Sequence, residues 1–140
     1  MLKKTIAYTD YEDNERKEDF YFNLTKAELT EMELSTVGGL KKMLEKIVME
    51  QDTTKIVAIF KGIIEKAYGE KSDDGKRFIK VVNGKRLVED FEQTEAYSNL
   101  FMELIGDADA ASAFIKGMLP LDLQKELDSK QPAKLPKAVK

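Results

Sequence analysis

The chain contains no cysteine and no histidine, and these two absences exclude most of the side-chain chemistry used in active sites. Without cysteine it can form neither a disulfide bond nor a thiolate zinc site, so a reducing cytosol suits it. Without histidine it lacks the commonest general base and the commonest transition-metal ligand. We therefore expect a protein that is not an enzyme and that has no catalytic residue, no metal and no cofactor.

The sequence also lacks the short motifs that bind phosphate or calcium. It contains neither a GxxxxGKS/T nor a GxGxxG stretch. Asp10, Glu12 and Asn14 alternate like the opening of an EF-hand loop. Glu15 occupies the glycine position of that loop, however, and Tyr21 occupies the position of its final glutamate. A match that fails at its two most constrained positions does not predict a calcium site.

Long apolar runs and an excess of one charge are absent as well. No window approaches the roughly 20 apolar residues of a membrane span, so we expect a soluble cytoplasmic protein with no membrane partner. The 23 basic and 26 acidic residues give a formal net charge of −3, which does not favour a nucleic-acid partner. The basic residues between Lys76 and Arg86, beside Phe78, are a group that could contact phosphate.

The strongest periodic signal is the stretch 53–68, TTKIVAIFKGIIEKAY. Its apolar residues follow the i, i+3, i+4, i+7 spacing of a helix but form an unusually wide stripe. A helix this apolar is predicted to be central, with other elements packed on more than one side. Asp52 or Thr53 can cap its first turn, and Gly69 is placed to end it in the left-handed conformation.

Residues 3–24 are predicted to form a β-hairpin. Ile6 and Tyr8 share one face of the first strand, and Phe20 and Phe22 share one face of the second. The charged segment between the strands contains no glycine, so we expect a loop of four or more residues. Because two strands alone are marginally stable, this aromatic face must rest on helices or on another chain.

Helices are predicted for most of residues 25–119. Thr25 and Glu28 have the spacing of a capping box, which starts a helix that runs to about Ser35. Gly38-Gly39 is expected to break the chain before the next helix. The later predicted elements are a short strand or an extended loop within 78–82, a short helix at about 85–91, a helix capped by Thr94 and ended by Gly106, and a last core helix capped by Asp107.

These elements predict a mainly α protein with a small N-terminal β-hairpin, an α+β class, in one compact multi-helix domain over residues 1–120. Residues 121–140 have a different character. Leu121, Leu123 and Leu127 could support a loose turn or two of helix, and prolines and lysines are spread over the second half of the segment. Such a composition is typical of disorder, so we predict a flexible basic C-terminal tail.

Two helices near the end of the predicted domain are the candidate partner-binding site. The apolar residues in question are Leu100, Phe101, Met102, Leu104, Ile105, Phe114, Ile115, Met118 and Leu119. One interpretation is that they form the far wall of the core. The other is that they form a partner groove, with Met102 and Met118 supplying adaptable contacts.

Three stretches resemble a known family: FYFNLTKAELTEMELS at 20–35, YGEKSDDGKRFIK at 68–80 and QTEAYSNLFMELIGDADAASAFIKGMLP at 93–120. They are similar to the tail assembly chaperones of long-tailed, siphovirus-like bacteriophages and prophages of Gram-positive bacteria. The resemblance covers most of residues 1–120 and is densest over 93–120.

The resemblance implies a role in tail assembly that involves no catalysis. Such a chaperone binds the tape measure protein and keeps it soluble until the tail tube polymerises around it. The resemblance further implies self-association, the tail-tube protein as another candidate partner, a place in the cytoplasm of the bacterial host and absence from the mature virion. Two alternatives are a structural head–tail connector or neck protein and a small regulatory protein that binds a host factor.

Overall fold

Seven helices and two small antiparallel sheets make up the described part of the chain, which is residues 1–34, 37–50 and 52–129 of a computed structural model. This architecture confirms the predicted α+β class with its N-terminal hairpin. No helix in these ranges is long and apolar enough to cross a membrane. The elements in order are β1 Leu2–Thr9, β2 Glu15–Phe22, α1 Lys26–Glu31, α2 Val37–Met49, α3 Thr53–Ala67, β3 Tyr68–Lys71, β4 Phe78–Ile79, β5 Val81–Val82, β6 Lys85–Arg86, α4 Leu87–Phe91, α5 Glu95–Gly106, α6 Ala108–Gly117 and α7 Leu121–Ser129.

The predicted hairpin is confirmed and forms one side of a four-stranded sheet of order β1-β2-β3-β4. Strands β1 and β2 pair in one continuous register, with Leu2 opposite Phe22. Ile6 and Phe22 are buried and face the helices, as the period-two pattern predicts. Helix α5 packs along β1. On this edge strand, the side-chain amide of Asn99 donates a hydrogen bond to the carbonyl oxygen of Ala7 at 3.1 Å.

The hairpin loop is ordered by Asp10. Its carboxylate accepts hydrogen bonds from the backbone N–H groups of Glu12 and Asn14, both at 2.9 Å. The Arg16 guanidinium and these two N–H groups lower the pKa of Asp10 to about 2. Because the Asp10 carboxylate accepts these hydrogen bonds, the loop forms without the glycine that such loops often contain. The Asp10–Asn14 pattern therefore stabilises a turn.

Phe91 on α4 lies at the centre of an aromatic cluster beneath the sheet. Its ring stacks on Tyr68 with centroids 4.4 Å apart and planes 6° apart. Phe20 and Tyr97 contact the same ring at 4.9 and 5.6 Å, and Phe22 lies edge-on to it at 6.0 Å. Burial raises the pKa of Tyr68 to about 12. The aromatic face of the hairpin thus rests on helices α4 and α5.

Helix α3 is less completely buried than its apolar stripe predicts. Asp52 caps it by accepting a hydrogen bond from the Thr54 N–H at 3.0 Å, as expected. Its buried residues all lie from Phe60 onward. Ile56 and Val57 in the first half are only half-buried, because the helix packs on the core through its second half.

Gly69 does not end α3 in the left-handed conformation. The helix stops at Ala67, and Tyr68 is already extended, so the chain continues directly into β3. A Cβ atom on Gly69 would lie 2.6 Å from the Ile79 carbonyl oxygen and 2.7 Å from the Phe78 ring. Glycine is needed here because β3 and β4 approach each other closely.

The first helix is shorter than predicted, and its capping box is confirmed. Helix α1 ends at Glu31, and Ser35 lies outside the described residues. Glu33 adopts φ 61°, and the Leu34 N–H bonds the Leu29 carbonyl at 2.7 Å. This left-handed residue with its backward hydrogen bond is a Schellman ending, built here without glycine.

The Gly38-Gly39 signal also behaves differently from the expectation. Gly38-Gly39 lies within the first turn of α2 and does not break the chain before it. Asn83 and Gly84 have φ 52° and 77°, the values of a two-residue hairpin turn. That turn pairs β5 with β6, so the helix predicted at about 85–91 begins only at Leu87. The caps at Thr94 and Asp107 are confirmed.

The first part of the predicted flexible tail is a packed helix. Leu123 and Leu127 on α7 are buried in the core, and α7 packs against α2. Two ion pairs also hold this helix in place. Lys26 on α1 pairs with Asp122, and Lys116 on α6 pairs with Asp128. The folded body therefore extends past residue 120 through α7. The rest of the predicted tail, 130–140, lies outside the described residues.

Lys80 ties three separate chain segments together. Its ammonium group donates to the carbonyl oxygens of Asn23 at 2.7 Å and Lys66 at 2.6 Å, and to the Glu28 carboxylate at 2.7 Å. Burial acts to raise the pKa of Glu28, but the hydrogen bonds from Lys80 and Thr25 outweigh it and lower that pKa. The end of β2, the last turn of α3 and the first turn of α1 thus share one cation.

Lys80→Met is expected to lower the free energy of unfolding by about 2–3 kcal/mol, because it leaves a carboxylate and two carbonyls without their donor. Urea denaturation measures the change. The matched control is Lys76→Met, an exposed lysine on the preceding turn, which should shift stability by no more than about 0.5 kcal/mol. Equal effects of the two substitutions would contradict this role of Lys80.

Gly69→Ala is expected to destabilise the protein by about 1–3 kcal/mol, because the added Cβ overlaps backbone of β4. Gly62→Ala is the control, since a Cβ at that helix-interior position meets no atom within 4 Å. This control should raise the melting temperature, because alanine is favoured over glycine in helices by about 0.5–1 kcal/mol. If both substitutions stabilise the fold, the close approach at Gly69 is wrong.

Candidate partner-binding surfaces

Helices α5 and α6 use most of their apolar residues inside the protein. Six of the nine candidate residues are buried, at 7% exposure or less, so they do not line an open groove. Helix α5 packs on β1, α3 and α6, and α6 packs on α2, which leaves little of either apolar stripe accessible. The six are Leu100, Leu104, Phe114, Ile115, Met118 and Leu119.

Three candidate residues reach solvent, and we call them the α5 surface: Phe101, Met102 and Ile105. Met102 is 63% exposed, whereas Phe101 and Ile105 are half-buried against the core. The Phe101 ring also contacts Tyr97, with centroids 5.6 Å apart. The α5 surface is therefore one flexible side chain beside two that are held by packing.

Sequence reasoning missed four further apolar residues that reach solvent, at the end of α2 and in the first half of α3. We define the α2–α3 surface as Val48, Met49, Ile56 and Val57. Val48 and Met49 are 50% and 76% exposed, and the other two are half-buried. Met49 follows Lys46 by three residues, on the polar side of α2. An apolar residue on the polar side of a helix is the sequence feature that could have predicted this exposed side chain.

The predicted basic group is mostly occupied by internal contacts. Lys80 is engaged as described, and Lys85 pairs with Asp90 at 2.8 Å. The Arg86 guanidinium donates to the backbone carbonyl of Glu65 at 2.7 Å. Because these cations already have internal partners, they are not free to converge on a phosphate.

A cavity of about 380 Å³ lies between α1, α3 and the β5–β6 hairpin. Gly62, Tyr68 and Val81 line it together with charged residues, among them Lys80. Lys80 is fully engaged in hydrogen bonds and is not placed to act on a ligand. Within the described ranges no group of three or more acidic side chains is arranged to hold a metal ion.

Comparison with known proteins identifies the family. No curated protein and no solved structure matches the chain. The family model described as phage tail assembly chaperone matches residues 1–139, which is nearly the whole chain. The resemblance of the stretches at 20–35, 68–80 and 93–120 to phage tail assembly chaperones is thereby confirmed. This chain belongs to the phage tail assembly chaperone family.

Proposed function

We propose that this protein binds the tape measure protein of a siphovirus-like phage or prophage and keeps it soluble until the tail tube polymerises around it. Family membership over residues 1–139 carries the proposal. The protein would act in the cytoplasm of a Gram-positive host and would be absent from the finished virion. A mostly helical body with exposed apolar side chains suits this holding role.

The contact with the tape measure protein is proposed to be apolar and to use the α2–α3 surface. Val48 and Met49 are adjacent and both at least half exposed, so they present more apolar area than the single exposed Met102. Methionine has a flexible, polarisable side chain that adapts to partners of varied shape. An amphipathic helix laid on such a surface would bury its apolar face there. Binding of this kind depends only weakly on salt.

The two alternatives make different predictions about the assembled phage. A head–tail connector or neck protein remains in the purified virion, and a regulator of a host factor binds that factor in cells without any tape measure protein. Family membership favours the chaperone over both. Mass spectrometry of purified virions checks the choice, because a chaperone should be missing from them.

Met49→Gln is expected to lower the soluble yield of co-expressed tape measure protein severalfold and to weaken its binding about tenfold, as the loss of one well-packed apolar contact does. Met102→Gln is the matched control, because it makes the same change at another exposed methionine on a helix. Glutamine keeps the helix propensity, so both variants should retain the wild-type circular dichroism spectrum.

The possible outcomes distinguish an error in the proposed function from an error in the proposed binding surface. If wild-type protein leaves the tape measure protein as insoluble as it is alone, the proposed function is wrong. If wild type rescues it and only Met102→Gln fails, the contact lies on the α5 surface. If both variants rescue it fully, neither exposed methionine contributes to binding.

A further inference from the structure

Helix α7 is a short amphipathic helix that packs on α2 beside the end of α6. Its Leu123 and Leu127, one helical turn apart, are only 6% and 2% exposed. The Gln124 side-chain amide donates a hydrogen bond to the Leu119 carbonyl oxygen at 2.7 Å, just after α6. Because an isolated helix of nine residues is unstable in water, α7 depends on these contacts. We call the place on α2 that receives the two leucines the α7 groove.

Two lysines on other helices contact the two ends of α7. Lys26 on α1 pairs with Asp122, the residue before the first buried leucine. Lys116 on α6 pairs with Asp128, the residue after the second buried leucine. The hydrogen bond from Lys26 lowers the pKa of Asp122. The segment DLQKELD thus places two apolar side chains four residues apart, with an acid immediately outside each of them and a lysine opposite each acid.

Burial of the two leucines is the main contribution to the docking of α7. Both ion pairs join side chains that remain in contact with water, which competes for the charges, so they add little to stability. Leu121 in the first turn is 71% exposed and adds no buried area. Segments of a folded protein open locally at a free energy well below that of global unfolding when few buried contacts hold them. We therefore expect α7 to leave its groove while the rest of the protein stays folded.

We propose that the α7 groove is a second docking site, which accepts an amphipathic helix of a partner protein when α7 opens. The partner helix places two apolar side chains, four residues apart, in the groove. An acidic residue at each end of that pair meets Lys26 or Lys116, as Asp122 and Asp128 do within the chain. Helix α7 is then a built-in competitor, and the apparent affinity for the partner is reduced by the fraction of molecules in which α7 is open.

A synthetic peptide with the sequence of residues 121–129, LDLQKELDS, is the probe for this groove, with both of its ends blocked. A second peptide carries Asp122→Lys and Asp128→Lys, so it brings like charges to Lys26 and Lys116. Nuclear magnetic resonance titration of the full-length protein measures the binding of each peptide. We expect the first peptide to bind severalfold more tightly than the second. Because no tape measure protein is present, the result is independent of the proposed function.

Leu127→Ala tests the competition, because it weakens the docking of α7 and leaves the groove itself unchanged. Loss of a buried leucine side chain should shift the opening equilibrium of α7 about thirtyfold or more. The variant is therefore expected to bind the first peptide more tightly than wild type by about the same factor. Ile6→Ala is the matched control, since it removes the same number of carbon atoms from a buried site on β1. It should lower global stability and bind the peptide as wild type does.

Equal binding of the first peptide to wild type, Leu127→Ala and Ile6→Ala overturns the proposal, and so does a peptide that binds none of them. Should Leu127→Ala not fold, the double variant Asp122→Asn, Asp128→Asn loosens α7 through exposed side chains alone. That variant should bind the first peptide severalfold more tightly than wild type, and an unchanged affinity overturns the proposal.

Hydrogen exchange of the wild type measures the opening of α7 without any variant. The backbone amides of α7 should exchange faster than those of β2, because they become accessible by local opening. Exchange of both segments at the rate of global unfolding shows that α7 does not open by itself, and it overturns the proposal.

Discussion

The ammonium group of Lys80 is the contact on which the arrangement of the N-terminal half depends. It satisfies two main-chain carbonyls and the Glu28 carboxylate, on three segments far apart in the chain. Glu28 is also the second member of the α1 capping box, so one carboxylate links a local helix start to a long-range contact. A cation placed among such acceptors fixes the angle at which the hairpin meets α3, because moving any one segment leaves a polar group unpaired.

The position of the hairpin decides which apolar residues are accessible to a partner. Once its aromatic face rests on Phe91, α5 must lie along β1 and α6 must close the core behind it. The apolar stripes of both helices are then used within the monomer. Helix α2 ends beyond that core, so Val48 and Met49 stay in solvent. The exposed apolar surface is thus determined by how the core closes.

The features that could be predicted from the sequence are the ones that depend on neighbouring residues. The caps at Thr25, Asp52 and Thr94 are side-chain to backbone hydrogen bonds within three residues, and the hairpin follows from period-two alternation. The role of Gly69 depends on β4, the neighbouring strand, whose Ile79 lies ten residues further along the chain. A helical wheel carries no information about that contact. The prediction of the partner-binding site met the same limit, because it also depends on contacts between residues far apart in the chain. The residues of α5 and α6 were correctly found apolar, but their burial is set by contacts with other elements.

A protein with an open sheet must avoid pairing with strands of a second copy at the edges of that sheet. The open side of β1 is the exposed border where another chain could pair with main-chain groups. The Asn99 amide bonded to the Ala7 carbonyl removes one of those acceptors, and the Lys4–Glu103 ion pair keeps α5 beside the same strand. Helix α5 therefore shields this edge of the sheet against fibril-like stacking of one copy on another.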